Sequence, residues 1–273
     1  MRERLLGALL VVLYASLMVF GPPTLFYVLV YLLGVVAVIE LFQMAELEEF
    51  SPLGILLFSL LFLFAVNIEK AVALLSYYFS TFAVLFHTST LFYKLLLSVP
   101  AIFGTLLLAA FALYGMKLPR NFFPVLYFLV YLSFGFVSIA LLPKHLFLLL
   151  IALVWSTDTF AYLVGRYFGR RKLVPSLSPK KTVEGALGGS LFGTLFSFPV
   201  ALKFGILEPG ITALFILFFL TVVSQLGDLL ESALKRLFGV KDSGSTIPGH
   251  GGVLDRLDSA VAVAPLLLLL GGV

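Results

Sequence analysis

Cysteine is absent from this chain and charged residues are scarce. Without cysteine, the protein can form no disulfide and can have no thiolate nucleophile and no cysteine-ligated zinc or iron–sulfur site. Only 12% of the 273 residues are charged and 61% are hydrophobic, whereas soluble domains contain roughly 25% charged and about 45–50% apolar residues. A chain with so little polar surface is expected in a membrane.

Long apolar runs predict the fold class. A membrane-spanning helix needs about 20 apolar residues, and proline or polar residues separate the hydrophobic segments 5–20, 24–42, 53–66, 71–86, 91–115, 122–141, 145–165, 185–205, 211–234 and 257–271. The first segment has no signal-peptide cleavage site and is interpreted as a retained span. The short pair 53–66 and 71–86 could be two helices, a re-entrant hairpin or one span with an interfacial piece. We predict an all-α, polytopic integral membrane protein with about nine transmembrane helices.

Positive charge is concentrated in two short windows, 166–184 and 235–256. They hold ten of the 18 lysines and arginines, and an excess of these residues in short loops marks the cytoplasmic side. Arg2 and Arg4 also suggest a cytoplasmic N-terminus, which conflicts with this placement unless one early segment does not cross. We predict that both windows are cytoplasmic loops on one face and suit an anionic substrate. The chain offers no extended basic surface for nucleic acid.

The two halves of the chain differ in their polar residues. Eight of the 14 acidic residues follow residue 155, and the earlier ones sit mainly at segment ends. We therefore expect residues 1–144 to form transmembrane scaffold helices. Residues 145–273, with the loops 166–184 and 235–256, are expected to form the catalytic transmembrane region.

Asp158 lies well inside an apolar segment. A charge at such a position costs about 3 kcal/mol or more unless a partner or a water-filled cavity relieves it. Trp155, Asp158 and Tyr162 are spaced i, i+3 and i+7, so they share one helix face. Asp158 either lines a functional cavity or pairs with a cation on another helix.

A basic segment rich in hydroxyl groups precedes the helix predicted to start near residue 185. Ser178, Lys180, Lys181 and Thr182 lie where backbone N–H groups and the positive end of the helix dipole favour phosphate. Alternatively, Thr182 is an ordinary helix N-cap and the lysines are ordinary cytoplasmic charges.

The stretch from Gly227 to Asp258 combines acids, bases and glycines. Asp228, Glu231 and Lys235 share one helix face, and Asp255 and Asp258 are three residues apart. Carboxylates without a histidine or cysteine cluster favour Mg²⁺, which typically binds one or two carboxylates plus substrate phosphates. Mg²⁺ with flanking cations is typical of phosphoryl or nucleotidyl transfer; a surface salt-bridge cluster is the alternative.

The chain resembles the phosphatidate cytidylyltransferases, also called CDP-diacylglycerol synthases, over residues 150–265. Their signature is matched at every position by Ser232, Leu234, Lys235, Arg236, Lys241, Asp242, Gly244, Ile247, Pro248, His250, Gly251, Gly252, Val253, Asp255, Arg256, Leu257 and Asp258. Upstream residues that also resemble the family are Trp155, Asp158, Tyr162, Gly165, Arg166 and the run from Ser178 to Gly185.

The resemblance implies an enzyme that converts CTP and phosphatidate into CDP-diacylglycerol and pyrophosphate, as a homodimer with a polar cavity facing the cytoplasm at the cell membrane. Its catalytic residues would be Asp158, Asp228, Lys235, Lys241 and Asp255. Asp228 and Asp255 would hold Mg²⁺, with Glu231 and Asp258 as further candidates and a second cation such as K⁺. The phosphates of CTP or phosphatidate would be bound by Ser178, Lys180, Lys181, Thr182, Glu184, Arg236, His250, Gly251, Gly252 and Arg256.

Three other functions compete with this interpretation. A CDP-archaeol synthase would use another lipid, and a CTP-dependent polyprenol kinase would release CDP instead of pyrophosphate. An ion-coupled transporter could use Asp158 and Asp228 as intramembrane ion sites, but it would not need the glycine-rich loop around His250.

Overall fold

A computed structural model describes residues 2–78, 121–249 and 251–270, and these are mostly helical. The helices are α1 (Arg2–Phe20), α2 (Pro23–Met44), α3 (Ser51–Tyr78), α4 (Phe122–Leu141), α5 (Lys144–Phe168), α6 (Val183–Lys203), α7 (Ile211–Leu237) and α8 (Leu254–Leu270). A short 3-10 helix, Glu48–Phe50, precedes α3. Two strands, β1 (Lys172–Val174) and β2 (Ser178–Thr182), lie between α5 and α6.

Six helical stretches in the described ranges are long and apolar enough to cross a bilayer. They are Pro23–Met44, Glu48–Asn67, Phe122–Leu141, Lys144–Phe168, Val183–Lys203 and Ile211–Leu237. The prediction of a helical, multi-pass membrane protein is therefore confirmed. The expected total of about nine spans stays a prediction, because residues 79–120, with the predicted segment 91–115, lie outside the described ranges.

The ambiguous segments 53–66 and 71–86 are joined in the structure as far as residue 78. Helix α3 runs without interruption through both, from Ser51 to Tyr78. The polar residues Asn67 to Lys70 do not end it, since none of them is a proline or glycine and all can continue a helix. The continuous helix differs from the two separate helices and from the re-entrant hairpin considered for this part of the chain.

The helices place polar groups inside the bundle and apolar groups outside. On α7, Thr221, Ser224 and Glu231 are buried, whereas Phe215 and Phe219 are 67% and 57% exposed. Lipid is as apolar as a leucine side chain, so burying apolar residues contributes little to helix association in a bilayer, and polar groups pack inward. The charged face of α7 therefore lies against α6 and α8.

Helices α5 and α6 pack closely because α6 presents glycines at four-residue spacing, Gly185, Gly189 and Gly193. A Cβ atom added at Gly189 would lie 2.8 Å from the Ala161 Cβ and 2.9 Å from the Thr157 carbonyl oxygen. Small residues at this spacing let two membrane helices approach closely. The glycines that follow the basic segment therefore serve helix packing, which brings β2 and the start of α6 against the end of α5.

The all-α prediction needs one correction, a small antiparallel hairpin. Strands β1 and β2 pair with Lys172 opposite Thr182 and Val174 opposite Ser178. Ser178–Thr182 lacks the alternation of apolar and polar residues that identifies a strand in sequence, and its lysines and proline are typical of an edge strand. The pairing is held by tertiary contacts: the Glu184 carboxylate accepts hydrogen bonds from the backbone N–H groups of Arg170 (2.9 Å) and Arg171 (3.1 Å).

Replacing Gly189 should separate α5 from α6. The Gly189→Val side chain meets Ala161 and the α5 backbone, and overpacking of this kind typically costs about 1–3 kcal/mol. We expect a lower thermal unfolding temperature in detergent. Leu187→Val is the matched control on the same helix, because Leu187 is 62% exposed and should leave the unfolding temperature unchanged. Equal unfolding temperatures for the two variants would contradict the proposed packing role.

Candidate active site

A polar cavity of about 370 Å³ opens between α5, β2, α6 and α7. Its wall includes the carboxylates of Asp158 and Asp228 and the ammonium groups of Lys180 and Lys181. Arg166 also lines it, and its guanidinium donates a 2.8 Å hydrogen bond to the Tyr162 hydroxyl. Asp158, Asp228 and the lysine pair, which were predicted from three separate stretches of sequence, thus meet in one cavity.

An ion pair across this cavity joins β2 to α7. The Lys181 ammonium contacts the Asp228 carboxylate, and both side chains are partly exposed. Between the same two regions, Arg236 Nε donates to the Leu177 carbonyl oxygen at 3.3 Å. The two basic windows, 166–184 and 235–256, therefore lie on one face of the protein, as their charge predicted.

Lys235 on α7 links this helix to α8 through ion pairs. Its ammonium lies 2.6 Å from Glu231 Oε2, one turn earlier on α7, and 2.6 Å from Asp255 Oδ1 on α8. The three side chains are nearly buried, with exposures between 7% and 13%. The two carboxylates compensate the charge of the buried ammonium group, and the two ion pairs fix the side-chain orientations of Glu231 and Asp255.

Three carboxylates converge beside this ion pair. One oxygen from each of Asp228, Glu231 and Asp258 lies within 4.8 Å of the other two. Two oxygens on opposite sides of a bound Mg²⁺ are about 4.2 Å apart, so a small side-chain movement would let all three contact one ion. Within the described residues, the buried Oε1 of Glu231 makes no hydrogen bond. An oxygen-only donor set with an unsatisfied buried oxygen fits a hard divalent cation.

Asp255 is held outside that cluster by four other contacts. Besides Lys235, its carboxylate accepts hydrogen bonds from the backbone N–H groups of Ser243 (3.0 Å) and Gly252 (2.8 Å). The Ser243 hydroxyl lies 3.1 Å from the same oxygen. Asp228 and Asp255, the predicted pair of metal ligands, therefore lie in different clusters. Asp228 lies with Glu231 and Asp258, whereas Asp255 binds the glycine-rich loop to the start of α8.

Glu40 on α2 is a site residue that the sequence did not reveal. It is 1% exposed, and its carboxylate accepts hydrogen bonds from the backbone N–H groups of Val253 (2.8 Å) and Leu254 (3.0 Å). The hydroxyls of Thr246 and Ser243 donate to it at 2.6 and 3.1 Å. The first N–H groups of a helix have no partner within the helix, and a carboxylate there also favours the helix dipole. Glu40 therefore caps α8 and anchors the loop that leads into it.

The loop needs glycine at two positions, one because of its backbone conformation and the other because neighbouring side chains leave no room for a Cβ atom. Gly251 has a φ of 87°, a backbone region that favours glycine. A Cβ atom added at Gly252 would lie 2.5 Å from Glu40 Oε2. Both were predicted to bind substrate phosphates; here they allow the loop to close over the carboxylates of Asp255 and Glu40.

The other predicted phosphate-binding residues lie in several places. Thr182 is the N-cap of α6, with its hydroxyl accepting from the Gly185 N–H at 3.1 Å, and Glu184 holds the start of the hairpin. Lys241 is exposed at the start of the loop. Arg256 lines a separate apolar cavity, and His250 lies outside the described residues.

Removing the Glu40 carboxylate should loosen the glycine-rich loop. Glu40→Ala leaves two buried N–H groups without an acceptor, so we expect a loss of about 2–3 kcal/mol in unfolding free energy and faster proteolysis within residues 239–253. Glu40→Gln retains one carbonyl acceptor and should fall between Glu40→Ala and the wild type. The exposed Glu49 provides the control, since Glu49→Ala should change neither quantity; an Ala variant at position 40 as stable as this control would refute the anchoring role.

Comparison with known proteins identifies the family of this chain. A model of the "Cytidylyltransferase family" matches residues 2–272. A phosphatidate cytidylyltransferase of Bacillus subtilis is 35% identical over an alignment of 280 residues, which covers 99% of this chain and 97% of that protein.

Partial matches have higher identity. A phosphatidate cytidylyltransferase of Staphylococcus saprophyticus is 48% identical over 130 residues, covering 46% of this chain and 48% of its own. One of Brucella abortus biovar 1 is 47% identical over 144 residues, covering 51% and 48%. The family resemblance carried by the sequence motifs is confirmed: the chain belongs to the cytidylyltransferase family.

Proposed function

We propose that this protein is a phosphatidate cytidylyltransferase, which joins CTP to phosphatidate and releases pyrophosphate, making CDP-diacylglycerol for phospholipid biosynthesis. The proposal depends above all on one juxtaposition: Lys180 and Lys181 line a polar cavity whose Asp228 also belongs to a three-carboxylate cluster. Lysines that can bind phosphates and carboxylates that can bind a metal ion thus lie side by side in a membrane protein. The family match and the names of the similar proteins supply the choice of substrates.

Mg²⁺ would be held by Asp228, Glu231 and Asp258. Bound there, it would neutralise negative charge on the triphosphate. Lys235 orients Glu231 by binding Oε2 and leaves Oε1 directed away from that pair. Asp255 acts on the site indirectly, because it positions Lys235 and the glycine-rich loop.

A second cation, such as K⁺, is consistent with the local charge. Five carboxylates, those of Asp158 and Asp255 and the three of the cluster, lie in this region together with Lys181 and Lys235, which pair with them, and with Lys180 and Arg166, which line the polar cavity. Unbalanced charge within a bilayer is costly. With the phosphates of CTP and phosphatidate bound, the negative charge would exceed these four cations and one divalent ion, and a monovalent ion beside it would reduce the remainder.

The chain's own cations would position the reacting phosphates. Lys180, Lys181 and Arg166 line the cavity, where they can neutralise both the triphosphate of CTP and the phosphate of the lipid. A phosphate oxygen of phosphatidate attacks the α-phosphorus, and pyrophosphate leaves. Most of the catalysis then comes from positioning and electrostatic stabilisation, and no general base is needed because that phosphate is already largely ionised near pH 7.

The membrane arrangement is part of the same proposal. The cavity faces the cytoplasm, because the basic windows around it are expected on that side, and the enzyme spans the cell membrane about nine times as a homodimer. Residues 1–144 act mainly as scaffold and residues 145–273 carry the chemistry, with Glu40 as a contribution of the first region to the second.

Product analysis tests the reaction. Purified protein with CTP, Mg²⁺ and phosphatidate should release pyrophosphate and form a CMP-containing lipid in equal amounts, measured by enzymatic pyrophosphate detection and mass spectrometry. Release of CDP with a phosphorylated lipid would identify a kinase instead. Turnover of an archaeol phosphate but not of phosphatidate would reassign the lipid substrate.

Substitutions in and beside the cluster separate metal ligands from positioning residues. Asp228→Asn and Asp258→Asn should lower CMP transfer by at least about 100-fold, as loss of one preorganised electrostatic group typically does, and Glu231→Gln should raise the Mg²⁺ concentration needed for half-maximal rate. Asp255→Asn should lower kcat and shift that Mg²⁺ dependence less than Glu231→Gln does, because Asp255 reaches the ligand Glu231 only through Lys235.

The control for these variants is Glu208→Gln, which changes an exposed acid away from the site and should retain wild-type kinetics. Membrane insertion of every variant is checked by detergent extraction and gel filtration. Near-normal turnover in Asp228→Asn would refute the metal assignment. A shift of the Mg²⁺ dependence in Asp255→Asn as large as that in Glu231→Gln would make Asp255 a ligand.

A further inference from the structure

A second cavity, lined mainly by apolar side chains, lies next to the polar one and has no part in the function proposed so far. It has a volume of about 260 Å³ and lies between α1, α2, α4, α5 and α8. Representative wall residues are Tyr14, Val30, Phe136, Ile151 and Trp155. Water gains few hydrogen bonds in such a space, so an apolar cavity of this size favours an apolar occupant.

The two cavities follow one another along α5. Ile151, Val154 and Trp155 line the apolar cavity, whereas Asp158, Tyr162 and Arg166 line the polar one. Trp155 and Asp158 are one helical turn apart, a rise of roughly 5 Å. The surface along this helix therefore changes from apolar to charged within a single turn.

Helix α8 lies between the apolar cavity and the carboxylate cluster. Arg256, Leu257 and Ala260 lie in the wall of the apolar cavity, whereas Asp258 joins the carboxylate cluster. Thr246 and Ile247 of the glycine-rich loop complete the cavity wall near the start of α8. Asp258 lies roughly 100–160° around the helix from Arg256, Leu257 and Ala260, so the apolar cavity and the carboxylate cluster border different sides of the first turns of α8.

We infer that the apolar cavity binds one acyl chain of a phosphate-bearing lipid whose headgroup lies in the polar cavity. An occupant with a charged end and an apolar chain matches the transition seen along α5, with Arg256 adding positive charge to the wall. The acyl chain enters from the bilayer, where burial removes no apolar surface from water, so a long acyl chain is favoured because it packs against more of the cavity wall than a short one. This inference rests on the proposed function for the identity of the lipid, phosphatidate.

The single tryptophan of the chain provides a direct test. Trp155 is the only tryptophan and lies in the cavity wall, so a bromine-labelled acyl chain that enters should quench its fluorescence. Bromoacyl phosphatidate at low mole fraction in unlabelled phosphatidylcholine vesicles should quench saturably. Bromoacyl phosphatidylcholine at the same mole fraction should give only the weak, linear quenching of random lipid contact.

A pair of substitutions on α1 supplies the matched control. Ala15 lines the cavity, and Ala15→Phe should fill part of it and raise the half-saturating mole fraction of bromoacyl phosphatidate at least tenfold. Leu13 is 53% exposed, and Leu13→Phe should leave that value unchanged. The same pair should differ in KM for a phosphatidate with 16-carbon chains, but not for one with 6-carbon chains.

The outcomes separate this inference from the proposed function. Quenching by phosphatidate no stronger than by phosphatidylcholine, or equal values for the two α1 variants, would overturn the acyl-chain site even if the enzyme makes CDP-diacylglycerol. Saturable quenching that Ala15→Phe weakens, without CMP transfer, would support the lipid site and refute the reaction.

Discussion

The site depends on one buried ammonium group, that of Lys235, held between Glu231 and Asp255. Its contacts of 2.6 Å to each carboxylate join α7 to α8. In a medium of low polarity, removing one partner of a buried ion pair leaves a charge that nothing compensates. The three residues therefore hold each other in place, and their arrangement directs Glu231 towards Asp228 and Asp258 and Asp255 towards the loop.

From Asp255 the network continues into the first half of the chain. Ser243 lies 3.1 Å from both the Asp255 and the Glu40 carboxylates, and Glu40 also accepts the first free N–H groups of α8. The path from α7 through α8 and the glycine-rich loop to α2 is continuous. A carboxylate more than 200 residues away in sequence thus holds the loop beside the charged site.

Local spacing explains what could be predicted and where prediction stopped. Asp228, Glu231 and Lys235 share a face because their spacing matches the helical repeat, and the shared face of the two basic windows follows from the positive-inside rule. The sequence of the β1–β2 hairpin lacks a strand pattern, and Glu184 holds the hairpin in place, so the local sequence did not predict it. The packing role of Gly185 and Gly189 was likewise not predicted, because it follows from the close approach of α5.

The sequence by itself determined that the protein is a helical membrane protein with its charges gathered after residue 155, and its motifs identified the cytidylyltransferase family. These features are local in the chain, since apolar runs and residue spacing decide them. The tertiary structure decided which carboxylates meet: Asp258 joins Asp228 and Glu231, while Asp255 turns to Lys235 and Ser243. It also decided that Glu40 supports the site, because only helix packing determines which distant side chain reaches the unpaired N–H groups of α8.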